Sequence, residues 1–416
     1  MPTFTNALLK PSPNTVAPSA LAMNIQETIE RALASAGLNT QSGPMRSVTE
    51  TIRKALASAG LGGSEAPAKP AAPARPPQDE PIDVMAREVV DAPAPVATPA
   101  EAPDTVGKAA QPTKPATADK TPGQFLSRSF TGPGGTRAYK LYIPTRTAQQ
   151  AAQPMPLVVM LHGCTQSPDD FAAGTQMNRL ADEHGVLVVY PEQPSGANPS
   201  RCWNWFRSED QQRGSGEPAL IAGIVAAVGK ECVVDPKRVF VAGLSAGAAM
   251  AVVLGETYPE LFAAVGAHSG LPYAAAHDIP SALAAMKGRS ALGRAHFPGT
   301  ADDPRRETAH AVPVIVFHGD RDHTVQHSNG ETIVQQASAA HAHQAQGLVS
   351  TTEEGEAGGR RYTRTVHADA QGRPRVEQWT LHGAGHAWSG GSPTGSYTDA
   401  TGPDASAEML RFFKGS

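Results

Sequence analysis

Cysteine is scarce in this sequence: Cys164, Cys202 and Cys232 are the only three in 416 residues. At least one must stay unpaired, and so small a set excludes a fold built on disulfides. Long apolar runs are missing too. Nothing approaches the ~18 consecutive apolar residues of a spanning helix, so no transmembrane segment is expected. Residues 1–23 lack the basic start and continuous apolar stretch of a secretory signal, which makes a cytoplasmic address the default expectation. There is no long basic run, and 35 Lys and Arg against 39 Asp and Glu leave a net charge of −4. Nucleic acid is therefore not an expected partner.

Proline and glycine, in contrast, are abundant, at 37 and 40 residues. They are spread unevenly, and three zones emerge. In zone 1–63 a short repeat occurs: ETIERALASAGL at 27–38 and ETIRKALASAGL at 50–61 differ at two of twelve positions. Ile29 with Leu33, and Ile52 with Leu56, lie four apart on one helical face, and Gly37 and Gly60 stop the pattern. Such short helices are marginal alone. They read either as docking elements for an apolar surface or granule, or as a weakly structured tail. Zone 64–123 is Pro/Ala-rich, as in PAKPAAPARPP. It buries too little apolar surface to offset chain entropy and reads as a disordered, semi-stiff linker.

Zone 124–416 alternates strand and helix signals. Strands are expected at 137–143, 156–162, 186–191, 238–244, 263–268, 314–318 and 376–381. Helices are expected at 169–184, 219–230, 246–256 and 329–343. Several strands are near-continuous apolar runs, which suits a sheet covered on both faces. The alternation predicts an α/β domain with a mostly parallel sheet flanked by helices.

Within that domain, Gly243-Leu244-Ser245-Ala246-Gly247 follows the strand-like RVFVA and opens an Ala-rich helix. A sharp strand-to-helix turn needs small residues beside the serine and lifts its Oγ clear of the sheet. The five-residue pattern alone is weak, and its strand–turn–helix setting gives it meaning. A serine hydroxyl becomes nucleophilic only when a base takes its proton, and histidine titrates near working pH. In an α/β-hydrolase the order is Ser, acid, His, on loops after successive strands. His386, in the Gly-rich loop GAGHAW, meets that order; His382 is the near rival, at the strand end. After VPVIVF come Asp320 and Asp322. Asp322 lies deeper in the loop and is favoured as the acid, whereas Asp320 suits a turn-holding role. The neighbouring His318 and His323 lack helical or CxxC-type ligand spacing, so no metal is expected, and the chemistry requires no cofactor. An oxyanion needs two preset N–H donors: Ala246, after the nucleophile, and Cys164, in the loop after PLVVML. The Cys164 side chain is either a small buried filler or the disulfide partner of Cys202.

At these residues the chain resembles the polyhydroxybutyrate (PHB) depolymerase family of esterases. The strings that carry the likeness are LHGCTQSPDDFA, YPEQ with NPSRCWNWF, GEPALIAGIV, VDPKRVFVAGLSAGAAM, VFHGDRDHTVQ and GAGHAWSGGSPTGSYTDATGPDASAEMLRFF. They run in order through nearly all of the third zone and do not extend to residues 1–120. The resemblance implies an α/β-hydrolase fold, a triad of Ser245, Asp322 and His386, and a share of the oxyanion hole for the Cys164 loop. It also implies chemistry similar to feruloyl and acetylxylan esterases, and members are often extracellular.

Trp203, Trp205 and Trp388 flank the expected rim and are candidates for an apolar substrate wall. The segment 273–311 has few strand signals and reads as a lid or a plain surface excursion. The expected function is a serine esterase acting on hydroxyalkanoate polymer, oligomer or related short acyl esters. A feruloyl or acetylxylan esterase is the alternative within enzymes, and a non-catalytic binding protein on a hydrolase shell the alternative outside them.

Overall fold

The computed structural model describes residues 120–132, 134–147, 152–289, 311–344 and 347–415. The repeats and the Pro/Ala-rich linker expected in 1–119 lie outside these residues, as does 290–310 of the expected excursion. The described residues belong to one compact unit.

Its strands are β1 (Gln124–Gly132), β2 (Gly135–Ile143), β3 (Met155–Leu161), β4 (Leu187–Pro191) and β5 (Val234–Leu244), then β6 (Ala264–His268), β7 (Val314–Gly319), β8 (Val349–Ala357), β9 (Arg360–Ala368) and β10 (Pro374–Leu381). They form a ten-stranded sheet in the order β8-β9-β10-β7-β6-β5-β3-β4-β2-β1. The six central strands, from β10 to β4, are mutually parallel. The outer strands attach antiparallel: β2 and β1 on one side, β9 and β8 on the other. Strands β3, β4, β6 and β7 are buried along almost their whole length, as their unbroken apolar character requires.

Helices α1 (Pro168–Thr175), α2 (Met177–His184), α3 (Gly216–Glu231), α4 (Ala246–Thr257), α5 (Ile279–Met286), α6 (Ser328–Gln344) and α7 (Ala405–Gly415) complete the unit. They divide the core into two layers. Ile221, Ile224, Met250 and Leu254 pack in one with Leu157, Val159 and Val241. Leu180, Met409 and Phe413 pack in the other with Val158, Met160 and Phe240. This is the α/β-hydrolase fold.

The single helix expected over 169–184 is divided. Gln176 takes left-handed backbone angles (φ 54°, ψ 22°) between α1 and α2. The carbonyls of Gly174 and Thr175, which would accept from the next helical turn, instead accept from Ser392 N and Ser406 Oγ at 2.8 and 2.7 Å. A distant part of the chain thus ends α1. Strands β1, β8 and β9 and helices α5 and α7 were not expected. Strand β8, VSTTEEGEA, is exposed at most positions and shows no apolar run to betray it.

The sheet order places the site. The chain leaves β3 toward β4, then returns to put β5 on the other side of β3. Such a reversal opens a crevice beyond the carboxyl ends of the strands. The registers align those ends: Leu161 faces Gly243, Leu244 faces His268, His268 faces Phe317, and Gly319 faces Leu381. The loops after β3, β5, β7 and β10 therefore emerge side by side.

Candidate active site

Ser245 sits between β5 and α4 with φ 57° and ψ −121°. A non-glycine residue holds such angles only when its surroundings over-determine them. Here they do: Ser245 N donates to His268 O at 2.9 Å, and Ser245 O accepts from Ala249 N at 3.0 Å. Space is set by the two flanking glycines. A Cβ on Gly247 would collide with the carbonyl oxygens of Leu161 and His162, and one on Gly243 with the backbone of Gly247. The helix can start this close to β3 because both positions lack a side chain. Ser245 itself is 9% exposed.

Asp322 and His386 meet across the loops after β7 and β10. His386 Nδ1 donates to Asp322 Oδ2 at 2.6 Å. Asp322 Oδ1 accepts from the N–H groups of Thr324 and Val325, each at 2.9 Å. Burial works to raise the Asp322 carboxyl pKa, but the His386 hydrogen bond and charge and the Val325 N–H outweigh it and hold it below the usual range. The loops are also laced through backbone: Asp320 N donates to Leu381 O at 3.1 Å and Arg321 N to Ala384 O at 3.0 Å. With Nδ1 committed to Asp322, Nε2 is the free ring nitrogen of His386. Among the described residues the Ser245 hydroxyl makes no hydrogen bond. The structure thus joins Asp322 to His386 and does not close the Ser245–His386 contact.

The rival pair forms as well, with each other. His382 Nδ1 donates to Asp320 Oδ2 at 3.0 Å, and Gly383 N donates to Asp320 Oδ1 at 2.6 Å. Both side chains are about one-third exposed.

The loop after β3 is held from several sides. Cys164 is disulfide-bonded to Cys202, which resolves the two readings of its side chain. Thr165 N donates to Ser200 O at 2.7 Å and Gln166 N to Gly163 O at 3.4 Å, while Cys164 N has no such acceptor among the described residues. Gln166 reaches back with Oε1 to Gly163 N at 2.8 Å and forward with Nε2 to Asp170 Oδ2 and Ser396 O. Ala246 is the first residue of α4, so its N–H is one of the donors that a helix start leaves without an intrahelical acceptor.

Three neutral histidines, none of them expected from sequence, support these loops. His162 donates from Nδ1 to Gly163 O and accepts Gln193 N–H at Nε2. His268 accepts Ser389 N–H at Nε2 and stacks against Trp388 and Phe317. His318 donates from Nε2 to Val325 O at 2.9 Å. Burial pushes their pKa values down to about 4, about 3 and about 4 respectively. Their sequence neighbours, LHG, AHS and FHG at strand ends, signal burial; only the folded chain shows which loop each one holds.

The expected aromatic wall is not where sequence put it. Trp203, Trp205 and Trp388 are 0%, 6% and 1% exposed. Trp203 Nε1 donates to His162 O, and Trp388 Nε1 to Ser406 Oγ. The N–H groups of Trp203 and Trp388 are thus used inside the protein, and the Trp205 ring packs edge-on against Phe206. Beneath the Trp203–Trp205 segment lies Glu217, also missed. Its carboxylate accepts Asn204 N at Oε2, and Asn204 Nδ2 and Gln193 Nε2 at Oε1. Burial raises its pKa. An exposed aromatic does occur at the site: Tyr397, whose hydroxyl lies 3.4 Å from Thr165 Oγ1.

Residues 137–363 match the family model described as Esterase PHB depolymerase. Among curated proteins, the chain is 35% identical over 269 residues to poly(3-hydroxyalkanoate) depolymerase C of Paucimonas lemoignei, a match spanning 63% of this chain and 60% of that protein. It is 30% identical over 211 residues to acetylxylan esterase A of Aspergillus oryzae, spanning 49% of this chain and 66% of the relative. The matched region thus covers less than two thirds of either relative. Among solved structures, an acetyl xylan esterase from Aspergillus awamori superposes with a TM-score of 0.52 at 20% identity, over 71% of this chain and 100% of that one. At that identity the likeness speaks to fold alone.

Proposed function

The chain belongs to the esterase PHB depolymerase family, and from that premise we propose that it hydrolyses carboxylic esters with a triad of Ser245, His386 and Asp322. The observation that carries this reading is the short His386–Asp322 hydrogen bond, on loops beside a strained serine at a strand-to-helix turn. His386 takes the Ser245 proton on Nε2 as Oγ attacks the ester carbonyl. Asp322 fixes the imidazole tautomer and stabilises the imidazolium that forms. The N–H groups of Cys164 and Ala246 receive the developing oxyanion. His386 then protonates the leaving alcohol and activates water to release the acid. The Ser–His contact tightens when substrate is bound, as apo geometries commonly do.

The preferred substrate is a hydroxyalkanoate polymer or oligomer, supported by the depolymerase relative. An acetylated polysaccharide is the second reading, supported by the acetylxylan esterase relative. The Cys164–Cys202 disulfide favours an oxidising compartment over the cytoplasmic default. No helix among the described residues is long and apolar enough to cross a membrane. Contact with a polyester granule falls to the repeats in 1–63, and removing residues 1–120 lowers granule binding while sparing turnover of soluble esters; equal binding by both forms would refute that role.

Ser245→Ala tests the mechanism. It retains the fold by circular dichroism and reduces p-nitrophenyl butyrate hydrolysis about 10⁵-fold or more. A folded variant with full activity would overturn the assignment.

A further inference from the structure

Five large apolar side chains are exposed among the described residues, and Tyr397 is the one aromatic. It is 48% exposed and lies in the loop that runs from the His386 loop toward α7. Its backbone is unusual. At φ 52° it occupies the left-handed region that a bulky residue rarely adopts and that surrounding structure must enforce. The enforcement is visible. Trp388 N donates to Tyr397 O at 2.7 Å. On the preceding residue, Ser396 N donates to Asp170 Oδ1 at 2.9 Å, and Ser396 O accepts from Gln166 Nε2 at 2.9 Å. The backbone is therefore clamped on both sides, while the ring is left in solvent.

The clamps also fix where that ring stands. On one side is Thr165, next to Cys164, with its Oγ1 3.4 Å from the Tyr397 hydroxyl. On the backbone side, Tyr397 O accepts from the N–H of Trp388, two residues beyond His386. Tyr397 thus bridges the loop proposed to hold the oxyanion and the loop proposed to carry the general acid. The contact to Thr165 is long, and the Thr165 hydroxyl is already committed to Cys164 O at 2.6 Å, so the phenol can exchange it for a better acceptor. Fixed backbone, exposed ring and a loosely engaged hydroxyl are the properties of a ligand contact.

We infer that Tyr397 is a substrate-contact residue that binds the unit on the leaving-alcohol side of the scissile ester in a hydroxyalkanoate oligomer. The inference rests on the esterase reading above. His386 must deliver its proton to the leaving oxygen, so a residue tied to the His386 loop borders the alcohol portion. A hydroxyalkanoate unit there presents a methyl and methylene to the ring face and an ester carbonyl to the phenol O–H. A methanol leaving group presents a lone methyl and no carbonyl. Tyr397 would therefore distinguish an oligomer from a simple alkyl ester and leave the acyl chemistry unaltered.

The test compares linear 3-hydroxybutyrate trimer with methyl butyrate. Tyr397→Asn removes the ring and keeps a residue that tolerates left-handed angles; Tyr397→Phe removes only the hydroxyl. Tyr397→Asn is expected to raise KM for the trimer about tenfold, and Tyr397→Phe about threefold. For methyl butyrate, kcat/KM stays within about twofold in both. Equal losses on the two esters, or an unchanged trimer KM in Tyr397→Asn, would overturn the inference. So would a wild-type enzyme that cleaves methyl butyrate and not the trimer, an outcome that leaves the esterase mechanism standing. Failure of the wild type on both esters would instead remove the esterase reading itself.

Discussion

Two aspartate–histidine pairs join the same two loops, yet their surroundings differ. In the inner pair, Asp322 and His386 are 0% and 11% exposed in their side chains. In the outer pair, Asp320 and His382 are 36% and 34% exposed. Both carboxylates are held below their usual pKa range against the opposing effect of burial, each by its histidine and by backbone N–H donors. Chemistry of residue type and pairwise geometry are thus nearly the same. What separates them is burial, and with it the screening that water provides. The inner pair is oriented in a dry setting, where a charge developing on imidazole is strongly felt. The outer pair fastens the strand ends together through a hydrogen bond in solvent, where such an exposed contact contributes little.

The largest effect that follows is on turnover. Asp322→Asn should lower kcat about 10⁴-fold by analogy with other triads, because the amide cannot hold the imidazole in its productive tautomer. Asp320→Asn should stay within about tenfold. Steady-state kinetics on p-nitrophenyl butyrate measures both, and equal losses would erase the distinction between inner and outer pairs. A second effect separates buried from exposed imidazoles by pH. Burial holds His162, His268 and His318 at about 4, about 3 and about 4 in the folded chain, against about 6.5 for an ordinary imidazole. Below pH 6.5 the unfolded chain takes up protons that the folded chain refuses until about pH 4, so stability is full above 6.5 and falls as pH drops through this window. Each imidazole accounts for roughly 3 kcal/mol at the acid end, and Tm should fall by about 10–20 °C between pH 7 and pH 4. A level Tm over that range would mean that these rings are not buried neutral. The smallest effect belongs to the outer pair. His382→Ala should cost about 1 kcal/mol or less in denaturant unfolding, with the difference shrinking in 1 M salt. A larger cost that ignored salt would place the pair inside the protein.

The contrast also marks how far the sequence could be read. The apolar strands and the Gly-x-Ser-x-Gly turn were legible because each is a local pattern with a local cause. The preference for Asp322 over Asp320 came from depth in the loop, and the structure joins Asp322 to His386. That Asp320 would take His382 was not legible, since the pairing depends on two loops meeting across the register of β7 with β10. The tryptophans were misplaced for a similar reason: an indole near a rim in sequence can point inward when a buried acceptor such as His162 O awaits its N–H. Tyr397 escaped notice because its significance lies in a backbone angle and an exposure. The division of the helix at Gln176 was hidden because its cause is Ser392 and Ser406, over two hundred residues away.

Among the described residues strand β8 is the outer margin of the sheet, and this has a bearing on how these molecules behave in a crowd. An unpaired strand edge is a template onto which a second chain can add, and proteins that persist in solution guard such edges. Glu353, Glu354 and Glu356 lie along this one. Glu353 pairs with Arg364 of the neighbouring strand at 2.8 Å, so a second copy approaching edge to edge would set its own Glu354 and Glu356 against those of the first. The polarity that concealed the strand from a reader of apolar patterns also makes this edge a poor template for a second sheet.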